Sequence, residues 1–492
     1  MNQPARRQHP GPTNRQKDTA LRPTRLRLAP AACALALLCA LSARPQDPDA
    51  PPIRPIPIGR RLELFVDRLL IDKLDGAALR LHEPQRQPRP QNPLPIAYTT
   101  VIKDGDLYRA YYRDYRKGYS GPWNDGNPGE ITCYAESRDG CEWRFPDLGV
   151  CDVESPRGRN VIWDGADACS HNFCPFLDAR PGTPRSERFK ALGGTKGSGG
   201  LYAFASPDGV HWRKLRDKPV ITSTDYAFDS QNVSFWSEAE SRYVCYFRSW
   251  RTPHGRLRTA SRTTSEDFLR WAPPVPTNPN RPGEHLYTSQ THPYFRAPHI
   301  YIALPTRFMP NRGNSTDILF MAARAGDVGF ARLFVEAFIR PGLDPARWGN
   351  RANYVALNVV PAGPAEMSIY HKDGCRYTLR IDGFISVRAG AAQGELLTKP
   401  LTFSGSRLFV NYSCSAAGSL RAEIRDSRGA PIPGFRLEDC PPIIGDKIRQ
   451  RVRWKGDPDL SQLAGAPVRL RFVMTECDLY AFRFGDEEEA SP

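Results

Sequence analysis

The chain has 492 residues, 40% hydrophobic and 25% charged, with a net charge of +15. That apolar share suffices for a large buried core and excludes a disordered chain. Seven basic residues and one acid fall within residues 1–27, so an excess of nine remains, scattered among acids; this excludes a nucleic-acid-binding tract and leaves room for an acidic polysaccharide.

The basic start leads into an apolar run over residues 28–42 with small residues near Ala40 and Ala43, which predicts a signal peptide over 1–43. The run is shorter than the roughly 20 residues of a membrane span. The expected product is therefore secreted or periplasmic, with no membrane span after signal cleavage; a single N-terminal anchor is the alternative. Of twelve cysteines, Cys33 and Cys39 lie in this leader, and no C-x-x-C pair occurs, which disfavours zinc ribbons and thioredoxin-like redox sites. Cys133 with Cys141, and Cys169 with Cys174, are spaced for local bridges in an oxidising compartment; Cys133 and Cys245 also read as core thiols in strands.

Residues 44–61 form a Pro-rich linker. Residues 62–71 then read as a first strand. From Tyr98 a layout recurs: an apolar strand, a turn, a second strand, and a phrase that is itself repeated. The phrase reads Tyr134-Ala-Glu-Ser-Arg-Asp-Gly-Cys-Glu-Trp143, then Tyr202-Ala-Phe-Ala-Ser-Pro-Asp-Gly-Val-His-Trp212. Looser copies end at Trp271 and Phe330, so the closing aromatics are 69, 59 and 59 residues apart. A fifth, degenerate unit runs from Tyr354 to Arg380. Alternating apolar and polar residues within each strand call for sheets with a buried face, and an all-β repeat of this period predicts propeller blades. The expected fold is all-β, a five-bladed β-propeller over 62–382 followed by a β-sandwich over 383–486, where strands recur about every ten residues. A polar tail, 487–492, closes the chain. The aspartates of the phrase, Asp139, Asp208 and Asp267, are read as turn-formers, and Trp348 as the plug between the fourth and fifth units.

This order of domains in an exported chain resembles the glycoside hydrolases of families 32 and 43, the invertase/arabinanase-like superfamily, with Phe65-Val-Asp67, Phe228-Asp-Ser-Gln-Asn232 and Glu284-His-Leu-Tyr-Thr288 among the segments that carry the likeness. The resemblance implies an oligo- or polysaccharide substrate and acidic residues at the starts of the inner strands, because glycosidic cleavage needs one protonated and one charged carboxyl group. Here those starts carry no acid at Ala97–Thr100 or Ser170–Asn172, but do carry Asp229, with Glu284 upstream of the fourth. Asp229 is therefore the expected nucleophile or base and Glu284 the general acid. His171, Asn172, Gln231, Asn232, His285, Gln290, His292, Arg307 and Asp317 are expected to bind sugar. The histidine spacing matches no metal motif, so neither metal nor cofactor is expected. A carbohydrate-binding propeller that has lost its acids is the alternative.

Overall fold

The computed structural model describes residues 54–164, 169–223 and 227–486. The leader, the first part of the Pro-rich linker and the tail 487–492 lie outside the described residues. Among the described residues the fold is all-β, with helix limited to short 3-10 turns.

Five antiparallel sheets follow one another in chain order. The first holds Thr100–Asp104, Leu107–Tyr115, Glu130–Ser137 and Val161–Asp164; the second Cys174–Leu177, Phe189–Gly193, Tyr202–Ser206 and Arg213–Lys214. The third holds Val233–Ser237, Arg242–Thr252, Gly255–Ser265 and Val275–Pro276, and the fourth Thr291–Tyr294, Ala297–Ala303 and Met321–Arg324. The fifth takes Val360–Pro361, Glu366–Tyr370 and Arg376–Arg380 from one end of the repeat and Gln85–Arg86 from the other. Borrowing that last strand pairs an edge that would otherwise stay open.

Large side chains join each sheet to the next. Ring centroids lie 6.3 Å apart for Tyr111 and Trp212, 6.3 Å for Phe176 and Tyr243, and 4.9 Å for Phe235 and Tyr301. The Tyr294 hydroxyl meets the Met367 sulfur, and Trp143 packs on Tyr370 at 5.5 Å. These contacts run from first sheet to fifth and back to the first. Strands sandwiched in this way are buried on both faces, as in Phe189–Gly193, where all five residues are buried and Lys190 is paired with Asp178. Each buried Phe or Tyr contributes roughly 1.5–3 kcal/mol through burial.

The repeated phrase ends the third strand of a sheet in a turn of fixed chemistry. Asp139 Oδ1 accepts the amides of Cys141 and Glu142 and the Ser137 hydroxyl; Asp208 does the same for Val210, His211 and Ser206, and Asp267 for Leu269, Arg270 and Ser265. The aspartates are turn-formers, as expected.

A ten-stranded assembly completes the chain. It pairs Ile385–Ala389, Gly394–Thr398, Leu401–Phe403, Arg407–Asp426, Asp446–Arg451 and Val468–Gly485 with four N-terminal strands, Ile56–Gly59, Glu63–Leu64, Ile71–Asp75 and Ala77–Leu81. Strand pairing thus carries residues 56–81 into the C-terminal sheet, whereas sequence reading places 62–81 with the repeats. Gly394–Thr398 and Leu401–Phe403 are separated at Pro400, which has no amide to donate. Arg407–Asp426 is one bulged strand that pairs with Val468–Gly485. Arg324 of the fourth sheet bonds both Glu63 (2.7 Å) and Asp67 (2.6 Å), which gives the Phe65-Val-Asp67 opening a structural role.

A further three-stranded sheet, His285–Leu286, Thr306–Met309 and Ser315–Ile318, interrupts the fourth unit. It holds His285, Arg307 and Asp317, with Glu284 at its edge.

Candidate active site

Chain entry into the first strands is strained. Tyr98, Phe228, Gln290 and Asn358 take φ of +53°, +67°, +49° and +79°, in the left-handed region that costs a non-glycine residue about 1 kcal/mol or more. Three groups meet beside these bends. His171 sits in the 3-10 turn Cys169–Asn172, Asp229 just before Val233–Ser237, and Asp125 in the connection between the second and third strands of the first sheet. Their donor atoms lie within 4.8 Å of one another.

His171 is 1% exposed, and its Nδ1 is 3.0 Å from both Glu130 carboxylate oxygens. Arg113 Nη1 approaches the same nitrogen at 2.9 Å and Glu130 at 3.5 Å. Nε2 points the other way, 3.8 Å from Asp125 Oδ1 and 3.9 Å from Asp229 Oδ1, too far to hydrogen-bond either, and it has no other partner among the described residues. Arg248 Nη1 lies 3.5 Å from Asp229 Oδ2, while its Nη2 donates to the Tyr287 carbonyl. Tyr98, Tyr287 and Tyr354 form the wall, with Tyr98 edge-on to His171 at 6.1 Å and to Tyr354 at 6.3 Å.

The electrostatics separate the two carboxyl groups. Burial alone would raise Asp229, but His171 and Arg248 outweigh it and hold the group below the usual carboxylate range. For Asp125, burial raises the pKa, and the neighbouring Asp229 charge adds to it against the pull of His171. Burial opposes charge on His171, yet Asp229 and Glu130 prevail and its pKa is raised.

Of the sequence-predicted residues only His171 and Asp229 are brought together here. Glu284 requires correction as general acid: Arg332 grips both its oxygens at 2.6 and 2.8 Å, Arg307 stands 3.7 Å away, and against burial they hold its carboxyl below the usual range. A general acid must hold a proton, and this setting removes it. Arg307 and Asp317 spend their polar groups on each other, at 2.8 and 2.5 Å. Gln231 braces Thr100 Oγ1 (2.8 Å), and Gln290 spans Gln231 (2.9 Å) and the Val355 carbonyl (2.7 Å). Asn172 donates to the Phe228 carbonyl and accepts from Gly194; Asn232 donates to Phe228 and Ser230 carbonyls and accepts the Arg248 amide. His292 accepts the Val359 amide at Nε2 and faces the Gln290 carbonyl with Nδ1; His285 accepts the Arg258 amide. These residues fasten strand entrances together, so their polarity is internal and does not face a ligand. Trp348, expected as a plug, is 58% exposed.

The residues that sequence reading missed are Asp125, Glu130, Arg113, Arg248 and an aromatic group beside Asp125. Trp123 is 63% exposed, and its ring is held edge-on by Tyr115 at 4.8 Å and Tyr119 at 5.3 Å. Asp125, His171 and Asp229 are the one His/Cys/Asp/Glu group with metal-ligand proximity among the described residues, which sequence spacing did not reveal. One nitrogen and two oxygen donors suit a divalent ion such as zinc. Arg113 and Arg248 already offset the negative charge at this point and oppose a second cation.

No protein-family model and no curated protein matches the chain. Among solved structures, one described as a glycoside hydrolase shares 14% identity with a TM-score of 0.40, over 66% of this chain and 89% of its own. A family 43 arabinoxylan arabinofuranohydrolase from Bacillus subtilis, in complex with cellotetraose, shares 13% at a TM-score of 0.37, over 79% and 95%. A glycosyl hydrolase from Bacteroides ovatus shares 13% at 0.38, over 65% and 93%. The chain is similar to structures of glycoside hydrolases, family 43 among them.

Proposed function

We propose that this is an exported glycoside hydrolase, a five-bladed β-propeller with a C-terminal β-sandwich, in which Asp229 is the nucleophile and Asp125 the general acid. One observation carries the reading: two carboxyl groups adjoin one buried histidine, and their proton affinities are pushed in opposite directions. Two carboxyl groups so separated are what acid and nucleophile roles need.

The protonated Asp125 gives its proton to the glycosidic oxygen as the Asp229 carboxylate attacks the anomeric carbon, so the C–O bond breaks and the alcohol leaves. Asp125, now charged, takes a proton from water, whose oxygen displaces Asp229 and releases the sugar. Donor atoms within 4.8 Å leave less room than the roughly 6.5–9.5 Å with which an inverting mechanism admits a water. His171 and Arg248 stabilise the Asp229 carboxylate before it attacks and again as it is displaced. Trp123, exposed and edge-braced, offers a flat apolar face of the kind on which a pyranose ring stacks.

The test is turnover of aryl glycosides and a polysaccharide panel by the purified full chain. Asp229→Asn should lose about 10³-fold or more in turnover with binding retained, and Asp125→Asn about 10²–10⁴-fold, less on substrates whose leaving group needs no proton. Binding without turnover in the native protein identifies the carbohydrate-binding alternative. Full activity in Asp229→Asn overturns the assignment.

A further inference from the structure

We propose that Arg258 receives an anionic group, a carboxylate or sulfate carried by the saccharide, so that the substrate is an acidic glycan. The inference rests on the reading of the Asp229 site, beside which Arg258 lies. Its guanidinium carbon is 4.5 Å from the Trp250 ring centroid, 4.8 Å from Tyr287 and 5.7 Å from Phe308. Three rings fix the orientation of the guanidinium plane and strip much of its water.

Three arginines of this region are matched to acids: Arg248 to Asp229, Arg307 to Asp317 and Arg332 to Glu284. Arg258 has no ion pair among the described residues, and its buried Nε has no hydrogen-bond partner there. The imbalance centres on Tyr287. Arg248 and Arg258 both stand 4.8 Å from its ring and Arg351 engages its hydroxyl, while the nearby acid, Asp229, is already shared with His171. Burial and the like charge of Arg248 both weigh against charge on Arg258. A half-buried cation beside a second cation is costly unless a counter-charge arrives. Guanidinium suits an oxyanion because its planar donors can bond two oxygens at once.

Binding is measured by titration calorimetry on the full chain with polygalacturonate, a sulfated galactan and neutral arabinan, at low and at 0.5 M salt. At least one acidic glycan should bind more tightly than arabinan and weaken with salt; which one prefers Arg258 separates carboxylate from sulfate. Arg258→Met should reduce that affinity about 10–100-fold and leave arabinan unaffected, the loss expected for a charged hydrogen bond, with Arg258→Lys in between. Asp229→Asn should bind the acidic glycan as the native chain does, so loss of turnover without loss of binding separates the catalytic reading from this one. Equal or tighter binding of arabinan at low salt, or unchanged acidic-glycan affinity in a folded Arg258→Met, overturns the proposal. If the Met variant does not fold, competition by inorganic sulfate against the native complex decides: no competition at tens of millimolar overturns it.

Discussion

His171 faces Glu130 with one ring nitrogen, at 3.0 Å, and Asp229 with the other, at 3.9 Å. The carboxylate behind the ring fixes its orientation, and the ring transmits positive charge to the carboxylate in front. In the proposed mechanism a histidine held this way acts through the charge it places beside Asp229.

Replacing His171 with Gln should therefore raise the Asp229 pKa, because the group that lowers it is removed. In the proposed mechanism Asp229 acts ionised, so the acid limb of the kcat/KM profile should move to higher pH, with a loss of about 10²-fold at its optimum. A pH-rate profile checks this; a uniform loss with an unmoved acid limb would indicate a structural role alone.

The Glu284–Arg332 pair should matter for stability and little for turnover. Arg332→Met leaves a buried carboxylate with only Arg307, 3.7 Å away, as counter-charge and should cost about 3 kcal/mol in urea unfolding. Glu284→Gln keeps part of the hydrogen bonding and should cost about 1–3 kcal/mol, with kcat within about twofold of native. A thousandfold loss in kcat for a folded Glu284→Gln would return the general acid to Glu284.

His292 supplies a pH dependence of folding. Burial lowers its pKa to about 4, from 6.5 in an exposed histidine. Between those values the unfolded chain binds the extra proton, so stability falls as pH drops from 6.5 towards 4. The loss attributable to this group is about 3 kcal/mol. Urea titrations at pH 7 and pH 4 on native protein and His292→Asn check it: the variant should be less stable at pH 7 but lose less on acidification.

Cys414 and Cys477 are direct cross-strand neighbours, with their sulfurs 2.7 Å apart. Opposed antiparallel residues have Cα separations of about 4.5–5.5 Å, within the range a disulfide spans. Glutathione disulfide should take two hydrogens from this pair and leave it bridged, detectable by peptide mass mapping. Closing a loop of 63 residues should stabilise the fold by about 4 kcal/mol in the loop-entropy account. Cys133 and Cys141, each a free thiol in the structure, should stay reduced.

The repeat was legible in sequence because its turn chemistry is local: Ser137, Asp139 and Gly140 meet one another within four residues. His171 and Asp229 were legible because strand entrances in such repeats converge. Asp125 was not, since it stands in a connection without periodicity and acquires meaning only from His171, 46 positions later. Glu284 misled because an acid in a Pro/Gly-bounded loop reads the same whether solvated or clamped, and its clamp, Arg332, is 48 residues away. The N-terminal strands paired with partners over three hundred residues distant, which no local pattern records.

The borrowed edge of the fifth sheet has a consequence for how the molecule comes into being. Gln87 donates to Thr378 across 291 residues of chain, so that sheet stays incomplete until nearly four-fifths of the polypeptide has been made. Until then the faces of the first and fourth sheets that meet the fifth stay uncovered. Contacts of such sequence separation form slowly, and the waiting intermediates are prone to aggregate. Export, as proposed, would postpone the same problem to the far side of a membrane, where the chain would need either rapid closure or a holding chaperone.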